Sequence, residues 1–436
     1  MKRLLATAAL LAGLLAALVP ARAEEPRGLQ GSTVIVEQPG GQDLPIAVPR
    51  PKGGDAAAQE IWEVLRADLE RSGFFQVIDP DAFTESPEAG IRLGEFSFED
   101  WAVPDPVVLA KTALEASEGR VSAEVWVYDV PGARKMGAKR FTAKDSSTRR
   151  VAHEIADEII LLVTGTPGIF TTRFAAVTKA SGNKEIAILD VDGHNVTPVT
   201  RNGSINLQPA WSWDGSRIAY TSYRSGNPDL FVADLVKGTV KRVSSRSGVN
   251  IGATWHPGGE ILALTLSSGA DTDLFAIDTA GKALGQLTKA PGIDVSPSFS
   301  ADGQWIAFAS ERSGGLQIYV MSAQGGEARR VTFQGSHNTD PSFSPDGQTI
   351  TFVGRDGNFD VFTVGVDGKG MKRLTQDQGN NEDPCFSPDG RYVAFASTRS
   401  DGGHIWMSTK DGRHQVRVTQ GRGVWSNPHW SPRLDW

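Results

Sequence analysis

Asparagine and aspartate residues recur at one place in this chain, just ahead of a Pro-x-aromatic step: Asn206, Asn250, Asp294, Asn338 with Asp340, Asn381 with Asp383, and Asn427. Amides and carboxylates gathered on one surface can accept hydrogen bonds from a partner's backbone and pair with its lysines or arginines. A local reading competes, because Asp-Pro and Asn-Pro steps also cap turns by bonding their own backbone. Val249 and His337 stand beside these positions and would extend a contact surface. Arg224, Arg312, Arg355 and Arg399 form a second series, each able to hold a neighbouring repeat's acid in a bidentate pair.

Catalytic chemistry finds little footing. No G-x-S-x-G elbow and no H-E-x-x-H occurs, and the seven histidines, His153, His194, His256, His337, His404, His414 and His429, are scattered without metal-ligand spacing. Neither an enzyme nor a bound cofactor is expected. The acidic ring could gather a cation such as calcium, but no EF-hand-like spacing occurs and the expected mechanism contains no metal. Cys385 is the single cysteine, so no intrachain disulfide can form; it reads as a small buried filler rather than a reactive thiol.

The elements that must position these residues come from an internal repeat. The phrase reads PSFSADG at 297–303, PSFSPDG at 341–347 and PCFSPDG at 384–390. Its aromatic falls at Trp211, Trp255, Phe299, Phe343, Phe386 and Trp430, in steps of 44, 44, 44, 43 and 44 residues. A closing hydroxyl keeps the same beat at Thr200, Ser244, Thr288, Thr332, Thr375 and Thr419. Runs such as WIAFAS and QIYVMS are strand-length and rich in β-branched or aromatic residues. Asp-Gly or Gly-Gly pairs between strands supply the positive φ of tight turns. Units of this length with four short strands are propeller blades, each too small to bury its own face alone. The first unit lacks its leading phrase, and NPHWSPRLDW at the end of the chain supplies it, so the last strand is expected to close a six-bladed ring. The innermost strand of each blade then starts at the channel mouth, which would set the Asn and Asp series on one rim. In the second unit Ala253 replaces Pro and Gly258 replaces Asp, which leaves room for a different opening turn.

Before the repeat the pattern changes. Residues 1–23 read as a secretory signal peptide, with Lys2 and Arg3, an apolar run from Leu4 to Val19 and Ala21-Arg22-Ala23, cleaved before Glu24. The apolar run is too short to span a membrane. The formal charge of −7 becomes more negative without this basic leader, which argues against nucleic acid as a partner. Residues 24–165 read as a small α/β domain: strands at STVIVEQ, DLPIAVP and FFQVID, a hairpin at VSAEVWVYDV and AKRFTAK, and helices over 57–71 and 147–163. Residues 166–436 form the propeller.

A leader, an α/β domain opening STVIVEQ…LPIAVP and six PxFSPDG-type units together resemble TolB, the periplasmic component of the Tol-Pal system. The resemblance covers the whole mature chain; the repeat phrase alone is shared with other exported propellers and with those of prolyl oligopeptidases. It implies a non-enzymatic, monomeric periplasmic adaptor that supports outer-membrane integrity and invagination during cell division. Pal, the peptidoglycan-associated lipoprotein, would bind the channel mouth through Val249, Asn250, Asp294, His337, Asn338, Asp340, Asn381, Asp383 and Asn427. TolA would bind the N-terminal segment at Glu24, Glu25, Arg27 and Leu29, although EEPRGLQGSTVIVEQ does not obviously match the short TolA-binding segment of better-known relatives. The alternative is an exported propeller that binds a small molecule or glycan in its channel.

Overall fold

The computed structural model describes residues 43–433 except 53–55, 87, 118, 145–146, 269–270 and 422. The leader, the strand expected at STVIVEQ and the four N-terminal positions Glu24, Glu25, Arg27 and Leu29 lie outside the described residues.

Strands β1 (Leu44–Ala47), β2 (Phe75–Val77), β3 (Val108–Ser117), β4 (Arg120–Asp129) and β5 (Arg134–Lys144) form one sheet in the order β2-β1-β3-β4-β5. The β1 pairings are parallel and the remainder antiparallel. Helix α1 (Ala56–Arg71) buries Ile61, Leu65 and Leu69, one turn apart, and α2 (Thr148–Thr164) buries Ile155, Ile159 and Val163 in the same cluster. Each fully buried Leu or Ile contributes about 1.5–3 kcal/mol by leaving water. Strand β3 was not among the strands expected from sequence. Its residues, VLAKTALEAS, favour a helix, but the slot between β1 and β4 pairs its backbone on both sides and tertiary context prevails. No helix among the described residues is long and apolar enough to cross a membrane.

Six four-stranded antiparallel sheets follow among the described residues. The strand Trp425–Trp430 pairs with Arg173–Thr178 in the first blade, so the last phrase closes the ring as the repeat offset requires. The second blade opens like its neighbours: Gly259 N–H donates to His256 O at 2.8 Å, as Gly303 does to Ser300 O at 2.9 Å, and the His256 ring accepts from Gly258 N–H, where the Asp302 carboxylate of the next blade accepts from Gln304 N–H.

The repeated closing threonine has a physical role. Thr332 Oγ1 accepts the Ile318 N–H and donates to Gln317, and Asn338, first residue of the next blade, donates to the same Gln317 side chain at 2.9 Å. Thr375, Asp360 and Asn381 repeat this node, and so do Thr200, Glu185 and Asn206. Each ties one blade to the next through buried groups that would be costly to leave unpaired.

Against the propeller, the N-terminal domain rests on polar and aromatic contacts. Tyr392 Oη donates to Ser72 O at 2.7 Å, and Arg391 lies 4.9 Å over Phe74 while donating to Pro167 O. Asp157 accepts from the Phe170 and Thr171 N–H groups, pinning the connection between the domains.

Candidate functional site

The six innermost strands, 206–211, 250–255, 294–299, 338–343, 381–386 and 425–430, share one irregularity. Their pairing with the second strand shifts register in mid-strand. The third residue of each lies in the left-handed region: Gln208, Gly252, Ser296, Asp340, Asp383 and Asn427, with φ between 49 and 62°. A bulge leaves the next residue without a ladder partner, which is why proline, lacking an N–H, is tolerated there. The second blade, which has Ala253 in place of proline, meets the same backbone demand with Gly252.

These third residues line the narrow part of the channel, a cavity of about 140 Å³. Ser296 Oγ donates to Asp340 Oδ1 at 2.8 Å, Thr339 Oγ1 to Asp340 Oδ2 at 2.9 Å, and the Asn427 N–H to Asp383 Oδ2 at 3.0 Å. Burial, and then the neighbouring Asp340 carboxylate, push the Asp383 carboxyl up to about 7. Glu382 is raised by burial and by the same neighbour. Deeper in, Cys385 and His429 line both this stretch and a wider cavity of about 370 Å³ at the other end, walled by the phrase aromatics. Burial pushes the Cys385 thiol up to about 12 and the His429 imidazole down to about 4. The thiol is therefore held in its unreactive form, as the filler reading of Cys385 requires.

The Asn and Asp series read from sequence thus divides into two positions. Asp340, Asp383 and Asn427 meet in the channel ring. Asn250, Asp294, Asn338 and Asn381, each the first residue of its strand, are buried and already engaged, as is Asn206. Asn250 Oδ1 accepts from Ser244 Oγ and the Arg246 N–H, Asp294 accepts from Arg312, and Asn381 joins Asp360 to Arg399. The expectation that these four side chains line an open rim is corrected: lying two residues before the bulge, they are buried, Asn250, Asn338 and Asn381 against the preceding blade and Asp294 against Arg312 of its own. The arginines also differ from expectation. Arg312 grips Asp294, and Arg399 bonds Asn381, within their own blades rather than a neighbour's, while Arg224 and Arg355 lie over Phe231 and Phe359.

Sequence reading missed Gln208, Gly252 and Ser296; the signal was a constant offset of one residue before the proline position. It also missed a collar. The residue before each innermost strand is Ile205, Val249, Ile293, His337, Asn380 or Val424, and its carbonyl accepts an N–H at the end of the second strand, from Tyr223, Ser267, Glu311, Arg355, Thr398 or Lys179. Ile205, Ile293 and Val424 are 47, 38 and 41 % exposed, and Val249 and His337 are partly exposed. A collar that is aliphatic at four of its six positions therefore rings a polar hole holding the Asp340 and Asp383 carboxyls.

Residues 161–434 match the family model for the TolB beta propeller domain, and residues 32–136 that for the TolB amino-terminal domain. The chain belongs to the TolB family. Among its relatives, a "Tol-Pal system protein TolB" of Geobacter sulfurreducens is 41% identical over 184 residues, covering 41% of this chain and 42% of that protein. One of Anaeromyxobacter dehalogenans is 40% identical over 216 residues, covering 49% of each. The chain spans about half the length of the curated relatives it matches. The crystal structure of TolB from Acinetobacter baumannii aligns with a TM-score of 0.81 and 26% identity, covering 90% of this chain and 97% of that one. The TolB fold therefore extends over both the sheet-and-helix domain and the ring.

Proposed function

We propose that this TolB-family chain is a periplasmic, monomeric adaptor of the Tol-Pal system. Its propeller mouth binds Pal and its N-terminal segment, from Glu24, binds TolA, in support of outer-membrane integrity and invagination during division. The leader at 1–23 directs export. The observation that carries the reading is the mouth itself: a largely aliphatic collar around carboxylates is the layout of a protein-binding surface, with aliphatic side chains that exclude water and acids for orientation. Within it, Val249, His337, Asp340, Asp383 and Asn427 make the direct contacts. Asn250, Asp294, Asn338 and Asn381 contribute by holding the strands that present them.

Calorimetry of the mature chain with soluble Pal from the same organism tests this. The pair Asp340→Ala with Asp383→Ala is expected to weaken binding about tenfold or more, roughly 1.4 kcal/mol. Tight binding untouched by these changes moves the site away from the channel, and no binding refutes the reading. The aromatic-walled cavity at the far end favours the small-ligand alternative, which the same calorimetry tests with soluble glycans.

A further inference from the structure

Charge is unevenly spread over the mouth face. Each blade shows two loops there, one joining its second and third strands and one leading from its last strand to the next innermost strand. In three consecutive blades, built from residues 173–198 with 425–430, from 206–244 and from 250–286, these loops hold Lys179, Lys184, Arg201, Arg224, Arg246 and Lys289 and not one acid. Lys184 is half-buried and the other five are exposed. Carboxylates at the adjoining strand ends are engaged: Glu185 with Thr200 and Asn206, Asp229 with Arg242, and Asp271 with the Gly292 N–H. Other cations of these blades have acids of their own, Arg173 holding Asp190 and Lys237 holding Asp234. Among the described residues no salt bridge engages any of the six.

The remaining three blades differ. The charges of their mouth loops cancel, Glu311, Asp356, Asp377 and Asp401 against Arg312, Arg355, Arg399 and Arg422, and Asp340 and Asp383 add carboxyls at the channel. Arg312 and Arg399 are also bonded to Asp294 and Asn381. The mouth is therefore basic on one side and acidic on balance on the other.

We propose that the basic side of the mouth is a docking surface for an acidic segment of the protein that binds there, and that the divided charge holds this partner in one orientation. The proposal rests on the adaptor reading above. A sixfold ring offers a central partner six near-equivalent settings, and a face with a basic and an acidic side selects among them. Two of the cations are held ready: the Arg224 guanidinium lies 3.9 Å over the Phe231 ring and that of Arg246 lies 5.6 Å over Phe275. A guanidinium laid on an aromatic face keeps the N–H groups of its edge for a carboxylate, which it can take in a bidentate pair. A uniform polyanion such as a lipid surface would meet the carboxylates of the acidic side, so a folded protein with its own charges divided fits this face better.

Two probes test this with the mature chain, a fluorescent peptide of about ten glutamates and soluble Pal from the same organism, each at about 0.05 M and about 0.5 M salt. The peptide is expected to bind saturably at low salt, and Arg224→Glu with Arg246→Glu to weaken it at least tenfold. The same reversal on the far face, Lys237→Glu with Lys282→Glu, is expected to leave it unchanged. Pal is expected to associate at least tenfold more slowly with the Arg224→Glu, Arg246→Glu chain at low salt, with most of the difference gone at high salt. Arg201→Glu with Lys289→Glu touches no aromatic contact and is expected to act in the same direction, which separates lost charge from a folding defect. Asp377→Lys with Asp401→Lys on the acidic side is expected to slow Pal as well.

A peptide or a Pal association rate that ignores both basic-side variants overturns the proposal and leaves the adaptor reading in place. Faster association of Pal with the Asp377→Lys, Asp401→Lys chain marks a uniformly acidic partner and overturns the single orientation. Binding to phosphatidylglycerol vesicles that is lost in the same basic-side variants, with Pal unaffected, assigns the surface to lipid and overturns the proposal. A wild-type chain that holds the peptide but not Pal refutes the adaptor reading and still supports an acid-docking side.

Discussion

Two positions on the same six strands, two residues apart, do opposite work. The first position is Asn in four of the six strands, with Asp294 and Trp425 in the other two, and its side chains are buried, the asparagines against the preceding blade. The third position varies from Gln to Gly, Ser, Asp and Asn, and its side chains meet in the channel. A ring that must close has the same bonding problem at every seam, so the groups that solve it repeat. A ring that binds an asymmetric partner has no reason to repeat. Uniformity within the repeat marks structure here, and variation marks the candidate site.

The sharpest way to break this comparison is to strike a seam. Asp360 is fully buried, with Arg373, Thr375 and Asn381 all bonded to its carboxylate. Asp360→Ala is expected to destabilise the propeller by about 3–5 kcal/mol, read by denaturant unfolding, while the remaining folded protein binds Pal as before. Thr332→Val keeps the shape but strands the Ile318 N–H and removes one of the bonds to the Gln317 oxygen, and about 2 kcal/mol of destabilisation is expected from the same measurement.

At the third position the effects reverse. Asp340→Ala with Asp383→Ala is expected to cost partner affinity, with thermal stability kept or raised. Acidity sharpens the contrast further. The folded state holds the Asp383 proton more tightly than the unfolded chain, at about 7 against an ordinary 3.8. Stability from this group is therefore fully present below the ordinary value and declines as pH rises through about 7. Asp383→Asn is expected to flatten that decline and to raise the thermal midpoint at pH 8 relative to wild type; an unchanged midpoint–pH curve would count against a proton-holding channel. The smallest effect is expected at the collar. Ile293→Ala should weaken Pal binding by less than about 1 kcal/mol, because single collar side chains exclude water more than they anchor.

Much of the fold was legible from spacing. The aromatic and the closing hydroxyl keep a common beat, and the stray phrase at residues 427–436 could only be placed by closing the ring. Helix α1 was readable because Ile61, Leu65 and Leu69 recur at helical spacing. Strand β3 was not, since its composition opposes the conformation that its neighbours impose. The site was half legible. Residue types at the mouth pointed to binding, but the Asn and Asp series merged two positions that the structure separates.

By itself the sequence determined the number of blades and the closure, because both depend on a period that survives in one dimension, and the family, because the α/β domain ahead of the repeat has its own recognisable phrase. Tertiary structure alone decided which side chains face the channel. One bulged residue in each innermost strand turns the alternation of side chains over, and neither composition nor period records it. It also decided that the basic loops of three blades share one side of the mouth, since segments far apart in the chain come to one face only when the ring closes.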